Sequence, residues 1–134
     1  MGVASAVDGD TIEVHGMRIR LHGIDAPESG QLCIADGTRY RCGERSALYL
    51  QETLGRSTVE CDARDTDRYG RIIATCSVRG TDVGAAMVAG GWALAYRRYD
   101  DVYVPMELEA AASRRGMWQG EFVEPARWRA GERL

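Results

Sequence analysis

The chain has 134 residues, of which 45% are hydrophobic and 28% charged. This length supports one hydrophobic core, so we expect a single domain over residues 1–134, and the composition excludes a disordered chain. Its 17 basic residues are all arginine and the formal net charge is −3, which argues against a polycation that binds partners by overall charge.

The sequence contains no apolar run of the roughly 20 residues that span a bilayer, and its first residues do not have the pattern of a secretory signal. We therefore expect a soluble protein that does not associate with membranes. Separately, we expect a monomer. It is compatible with the mature part of an exported protein whose leader has been removed.

The first elements predicted along the chain form a β-hairpin. Residues 11–14 and 17–21 alternate polar and apolar side chains, as strands with one buried face do. Ile19 and Leu21 share one face of the second strand, which leaves Arg20 on the other. The strand can therefore contribute to a core and present a guanidinium group on its opposite face.

The rest of the chain mixes short strands with helices. A long polar loop over 25–42 is followed by a helix over 44–54, strands over 57–61 and 72–78, a helix over 83–89, a strand over 92–95 and a helix that begins at Pro105. Residues 124–134 are polar apart from Trp128 and are expected to lie against the surface. The absence of regular βαβ units predicts an α+β fold around a small barrel.

The four cysteines lack the close spacing of a zinc site. Cys61 and Cys76 are symmetric about the bend at residues 68–69, so two antiparallel strands would place them opposite each other. That pairing leaves Cys33 with Cys42, although three connectivities are possible in principle. Two disulfides predict a periplasmic or secreted protein, and the alternative is four free thiols in a cytosolic one.

Acidic residues cluster at one end of the predicted hairpin. Asp10 precedes its first strand, while Asp25 and Glu28 follow its second, so the hairpin brings the three carboxylates together. Pro27 restricts the backbone between the last two. Converging carboxylates repel unless a cation lies among them, and oxygen ligands favour Ca²⁺ or Mg²⁺. The alternative interpretation is a turn and a solvated loop.

The order and spacing of several motifs resemble the staphylococcal nuclease, or thermonuclease, family of OB-fold enzymes. The motifs are Val7-Asp8-Gly9-Asp10-Thr11, Arg18-Ile19-Arg20-Leu21, Gly23-Ile24-Asp25-Ala26-Pro27-Glu28, Asp67-Arg68-Tyr69-Gly70-Arg71 and Gly116-Met117-Trp118. The resemblance implies a five-stranded OB-fold β-barrel with about three helices. It also implies a calcium-dependent nuclease that hydrolyses DNA or RNA by attack of water at phosphorus and leaves 3′-phosphate products.

The resemblance further implies a role for each matching residue. Ca²⁺ would be bound by Asp10, Asp25 and the main-chain carbonyl of Ala26, where the family often has Thr. The catalytic residues would be Arg20, Glu28 and Arg71. The nucleic acid would be contacted by Arg68, Tyr69, Tyr96 and Tyr99, although one of the last two is equally well explained by core packing. The alternative function is a non-catalytic OB-fold module that binds nucleic acid or protein.

Overall fold

The computed structural model describes residues 2–98 and 100–134. The strands in this part of the chain are β1 (Gly2–Val3), β2 (Ser5–Asp8), β3 (Thr11–Val14), β4 (Met17–Leu21), β5 (Ile24–Asp25), β6 (Cys33–Ala35), β7 (Thr38–Tyr40), β8 (Thr58–Thr66), β9 (Ile72–Val78), β10 (Thr81–Asp82) and β11 (Leu94–Ala95). The helices are α1 (Cys42–Leu54), α2 (Val83–Ala89), α3 (Val104–Ala112), a 3₁₀ turn (Gly116–Gln119) and α4 (Pro125–Arg129).

The barrel has five strands when β1 and β2 are counted as the two halves of one bent strand. The main sheet has the order β1-β8-β9-β4-β3-β2, with β10 added beside β9. Only the buried Ala4 separates β1 from β2, so the two form one bent strand that pairs with β8 through one half and with β3 through the other. The sheet therefore nearly closes on itself, and the predicted α+β fold with a five-stranded OB-type barrel is confirmed.

The predicted first hairpin is also present. In the register of β3 and β4, Ile12 lies opposite Ile19 and Thr11 lies opposite Arg20. Ile12 and Ile19 are buried in the core. The alternation of side chains along β4 therefore places Arg20 on the face away from them.

Both expected disulfides are present. Cys61 and Cys76 lie directly opposite each other in the register of β8 and β9, with their Cα atoms 4.1 Å apart. Cys33 and Cys42 have a Cα separation of 5.6 Å, and they join β6 to the first residue of α1. One disulfide thus links two barrel strands, and the other closes the insert that follows the first hairpin.

The helices cover one side of the barrel. α1 packs against β2 and α2, while α2 also packs against β9 and α3. Leu50 and Leu54 provide the buried face of α1, whereas Leu48 is exposed. No helix in the described residues has the length and apolar character that a membrane span requires.

The structure differs from the prediction in several elements. β5 (Ile24–Asp25) overlaps the start of the long loop expected over 25–42 and pairs with β11, and that loop contains a small hairpin formed by β6 and β7. The strands expected over 57–61 and 92–95 are observed as β8 (Thr58–Thr66) and β11 (Leu94–Ala95), and β1, β2 and β10 were not predicted. The described residues also contain four α-helices where about three were expected, since α4 forms in the polar C-terminal segment. Strands of two or three residues are too short to show an alternating pattern, and a five-residue helix is too short to show an apolar stripe.

Candidate active site

The carboxylate cluster, defined as Asp10, Asp25 and Glu28, lies at the end of the first hairpin. Asp10 occupies the turn between β2 and β3, and Asp25 ends β5. The backbone N–H of Ala26 donates a 2.9 Å hydrogen bond to Oδ2 of Asp10. Asp10 and Asp25 are only 7% and 5% exposed, so the surrounding fold fixes both carboxylates.

Arg20 joins the two buried carboxylates. Its Nη1 lies 3.7 Å from Oδ2 of Asp10, and its Nη2 lies 3.6 Å from Oδ1 of Asp25. Nη1 also donates to the carbonyl of Ile24 at 3.2 Å. One guanidinium group therefore contacts both of the aspartates that the sequence predicts as metal ligands.

A buried amide supports the third carboxylate. The backbone N–H of Glu28 donates to Oε1 of Gln31 at 3.1 Å, and the N–H of Gln31 donates to the carbonyl of Glu28 at 2.8 Å. The side-chain amide of Gln31 donates to the carbonyl of Val123 at 2.7 Å. Gln31 thus positions the Glu28 backbone against the C-terminal segment. A single Gln in a polar loop gave no sequence signal for this role.

Burial and mutual repulsion change the acidity of this region. Burial, together with the neighbouring charge of Asp10, raises the pKa of Asp8 to about 7. Burial also raises the pKa of Asp25, while hydrogen bonds and charge from Arg129 act to lower it. The region therefore favours an added positive charge, since burial makes the ionised forms of Asp8 and Asp25 costly.

The second group of predicted site residues lies at the β8–β9 bend, residues 67–71. Asp67 accepts hydrogen bonds from the backbone N–H of Arg71 at 2.9 Å and from its Nε at 2.7 Å. Burial acts to raise the pKa of Asp67, but the bonds from Arg71 and Tyr69 lower it. Asp67 therefore stays ionised and orients the Arg71 guanidinium.

The aromatic and basic side chains of this bend lie close together. The guanidinium carbons of Arg68 and Arg71 lie 5.7 Å and 6.0 Å from the centre of the Tyr69 ring. Tyr69 itself is 76% exposed. The bend thus presents two cations and one aromatic ring to solvent.

A cavity of about 310 Å³ lies between the bend and β4. The charged and aromatic residues that line it include Arg20, Arg68, Tyr69, Arg71, Tyr96 and Arg129. The carboxylate cluster is not part of this lining, but it contacts the cavity through Arg20 and Arg129. Tyr99, the remaining predicted binding residue, lies outside the described residues.

Arg129 is a site residue that the sequence did not reveal. It is the last residue of α4, and its Nη1 donates to Oε2 of Glu28 at 3.0 Å and to Oδ1 of Asp25 at 3.2 Å. Its Nη2 donates to Oδ2 of Asp25 at 3.2 Å. The only sequence signal was Pro125, which commonly begins a helix, because one arginine in a polar tail is otherwise indistinguishable from its neighbours.

The donor set fits a hard divalent cation better than a transition metal. Among the described residues, no three His, Cys, Asp or Glu side chains are arranged to hold a metal ion by themselves. Asp10 and Asp25 nevertheless converge on one cationic group, Arg20, and Asp25 and Glu28 converge on another, Arg129. These guanidinium groups show that the cluster accommodates positive charge. Main-chain oxygens or water would have to complete the shell of a metal ion.

Comparison with known proteins identifies the family. Residues 18–120 match the family described as staphylococcal nuclease homologue. This match includes Arg20, Asp25, Glu28 and Arg71, whereas Asp10 and Arg129 lie outside it. The matched region is more than half of the chain.

Three relatives illustrate the range of similar proteins. The succinoglycan biosynthesis protein ExoI of Rhizobium meliloti is 37% identical over 90% of this chain and 65% of its own length. Protein ParB of Escherichia coli is 37% identical over 95% of the chain and 77% of its own length. The micrococcal nuclease of Shigella flexneri is 34% identical over 95% and 78%. The chain thus spans slightly less than two thirds of the first relative and about three quarters of the other two.

The barrel, the order of its motifs and these similarities agree with one another. The chain belongs to the family of staphylococcal nuclease homologues, and its enzyme class is nuclease.

Proposed function

We propose that this nuclease hydrolyses phosphodiester bonds of DNA or RNA in a calcium-dependent reaction, with water attacking phosphorus and a 3′-phosphate as product. The observation that carries this proposal is the position of Arg20, which contacts both buried aspartates and also lines the cavity that Arg71 lines. A phosphate in that cavity would lie between the carboxylate cluster and the β8–β9 bend.

In this proposal Asp10, Asp25 and the carbonyl oxygen of Ala26 hold the cation. The hydrogen bond from Ala26 N–H to Asp10 supports this arrangement, because it ties the two segments together at a fully buried residue. When bound, Ca²⁺ supplies positive charge for the nonbridging phosphate oxygens. Because the ligand at Ala26 is a main-chain oxygen, the replacement of the family's frequent Thr by Ala keeps this ligand and removes only a supporting hydroxyl.

Glu28 serves as general base or orients the attacking water, since its carboxylate lies at the more exposed side of the cluster. Arg20 and Arg71 donate hydrogen bonds to the phosphate oxygens and stabilise the charge that develops on them. The Asp67 carboxylate supports the role of Arg71 by fixing its Nε, which leaves its terminal nitrogens for the substrate.

Arg68, Tyr69 and Tyr96 extend the contact along the nucleic acid, and Tyr99 completes this set. Basic and aromatic side chains around one cavity suit a polyanion whose bases stack without sequence preference. The two disulfides support export to an oxidising compartment, periplasmic or extracellular. We also propose that the enzyme acts as a monomer.

Glu28→Gln and Arg71→Ala test the chemistry. Each should slow digestion of plasmid DNA and of RNA by about 10²-fold or more, because each removes a base or an electrostatic donor from the transition state. Cleavage is measured with Ca²⁺ and with chelator, and the chelator should abolish it. Arg41→Ala is the matched control, since Arg41 is an exposed residue of the insert that pairs with Glu44.

Wild-type rates in both variants would contradict the assigned roles. A protein that retards nucleic acid in a gel but leaves it intact with Ca²⁺ present would instead be a non-catalytic binding module. Identification of the terminal phosphate on the product fragments tests the proposed direction of cleavage.

A further inference from the structure

The C-terminal helix reaches back into the carboxylate cluster over a separation of 104 residues. Arg129 engages both oxygens of Asp25 and one oxygen of Glu28 through three hydrogen bonds of 3.0–3.2 Å. This is the forked geometry in which a guanidinium binds a carboxylate most strongly. Arg129 thus uses the same atoms that the proposed reaction needs.

These two uses compete. Arg129 donates hydrogen bonds to both oxygens of Asp25, whereas Arg20 lies 3.6 Å from Oδ1 of Asp25, beyond hydrogen-bond distance. A cation held by Asp25 would therefore compete with Arg129 for the same oxygens and be repelled by its charge in a partly buried site. Arg129 also occupies Oε2 of Glu28, one of the two oxygens that could accept a proton from water. Docked Arg129 therefore weakens metal binding and hinders the general base.

We propose that Arg129 is an internal competitor of the catalytic cation, so that α4 holds the enzyme inactive until a divalent ion displaces it. This inference rests on the proposed metal site at Asp10 and Asp25. It assigns a regulatory contact to a segment outside the region that matches the family.

The way the segment is attached suits a movable element. Its beginning is fixed, because Ile34 and Glu121 exchange backbone hydrogen bonds of 2.8 and 2.9 Å, and the carbonyl of Val123 binds the buried Gln31. Beyond Pro125 the segment is mostly exposed, and α4 has only five residues. The helix can therefore detach while residues 121–123 remain in place.

The effect of Arg129 on ion affinity depends on the fraction of molecules in which Arg129 is docked on the carboxylates. The apparent dissociation constant of the ion equals the intrinsic constant divided by the fraction of molecules whose carboxylates are available. If Arg129 is docked in about nine molecules of ten, its removal tightens ion binding by about tenfold. Arg127 provides a matched control, since it belongs to the same helix but pairs with Glu124 and Glu132.

Calcium binding to the full chain is measured by titration calorimetry for wild type, Arg129→Gln, Arg127→Gln and Asp10→Asn. Arg129→Gln should bind Ca²⁺ about tenfold more tightly, and Arg127→Gln should stay within about twofold of wild type. Equal or weaker binding by Arg129→Gln, or equal tightening by both arginine variants, would overturn the proposal. Unchanged binding by Asp10→Asn would show that the proposed metal site itself is wrong.

A second measurement detects the movement directly. In α4 the backbone N–H of Trp128 donates to the backbone carbonyl of Glu124 at 2.9 Å, and the N–H of Ala130 donates to the carbonyl of Ala126 at 3.2 Å. Calcium should accelerate amide hydrogen exchange over residues 124–131 in wild type, because the released helix frays. Arg129→Gln should exchange rapidly there with or without Ca²⁺. Calcium-induced protection of this segment in wild type would refute displacement.

Discussion

The carboxylate cluster and the β8–β9 bend are built in opposite ways. The aspartates of the cluster are buried and are connected through Ala26, Arg20 and the backbone of neighbouring strands. The bend is exposed and depends mainly on one local residue, Asp67, which binds Arg71 four positions later. The carboxylate cluster therefore depends on the core, whereas the β8–β9 bend depends on a turn.

The same type of substitution should accordingly have unequal effects in the two regions. Near the cluster, backbone segments approach each other closely and there is little space for another atom. At the bend, a new side chain meets solvent. Glycine replacements provide a direct comparison, because they add a single methyl group in each place.

The largest effect is expected for Gly43→Ala in α1. A Cβ atom there would lie 2.8 Å from the carbonyl carbon of Glu28 and 2.9 Å from that of Ser29. Because backbone atoms cannot rotate away, the Glu28 loop must shift, and we expect a loss of about 3 kcal/mol in the free energy of unfolding. Urea denaturation measures this loss, and nuclease activity should fall at temperatures where the variant is still folded.

Gly30→Ala is the control for this substitution. Gly30 lies in the loop that carries Glu28, but a Cβ atom at Gly30 has no atom within 4 Å. If the two variants have equal stability and activity, close packing behind Glu28 is not what positions it.

An intermediate effect is expected for Gln31→Leu. The substitution leaves the Glu28 N–H and the Val123 carbonyl without their partner, and an unsatisfied buried group costs about 1–3 kcal/mol. We expect a loss of about 2 kcal/mol in urea denaturation, since Glu28 is partly exposed and water can replace one bond. Gln51→Leu, which removes a single bond to the Ala6 N–H, should cost less. The reverse order would show that the amide of Gln31 is not a central support.

The smallest effect is expected for Gly70→Ala at the bend. Gly70 has a φ of 81°, and a Cβ atom there has nothing within 4 Å. The cost is therefore conformational alone, about 1 kcal/mol. Gly70→Asn should cost less, because Asn tolerates this backbone region better than Ala. If Gly70→Ala lost as much free energy of unfolding as Gly43→Ala, the contrast between the carboxylate cluster and the bend would be wrong.

The sequence predicted the parts of the site that depend on local patterns. Alternation along residues 11–21 predicted the hairpin that brings Asp10 and Asp25 together, and symmetry about the bend predicted the pairing of Cys61 with Cys76. The family resemblance added the barrel and the roles of the matching residues, and those roles stay predictions.

The contacts that the sequence did not predict join distant segments. Gln31 meets Val123 across 92 positions, and Arg129 meets Asp25 across 104. Neither residue differs in type from its polar neighbours. Such contacts follow from the packing of the insert against the C-terminal segment, which no local pattern describes.

The bent first strand also constrains the order in which the barrel forms. The hairpins β3–β4 and β8–β9 join residues close in sequence, but β1 must find β8 across more than fifty positions, with Gly2 opposite Val59. Closing that long loop costs chain entropy before any contact compensates for it. We therefore expect barrel closure to be a late folding event, and until it occurs the free edges of β1 and β8 are available for pairing with another chain.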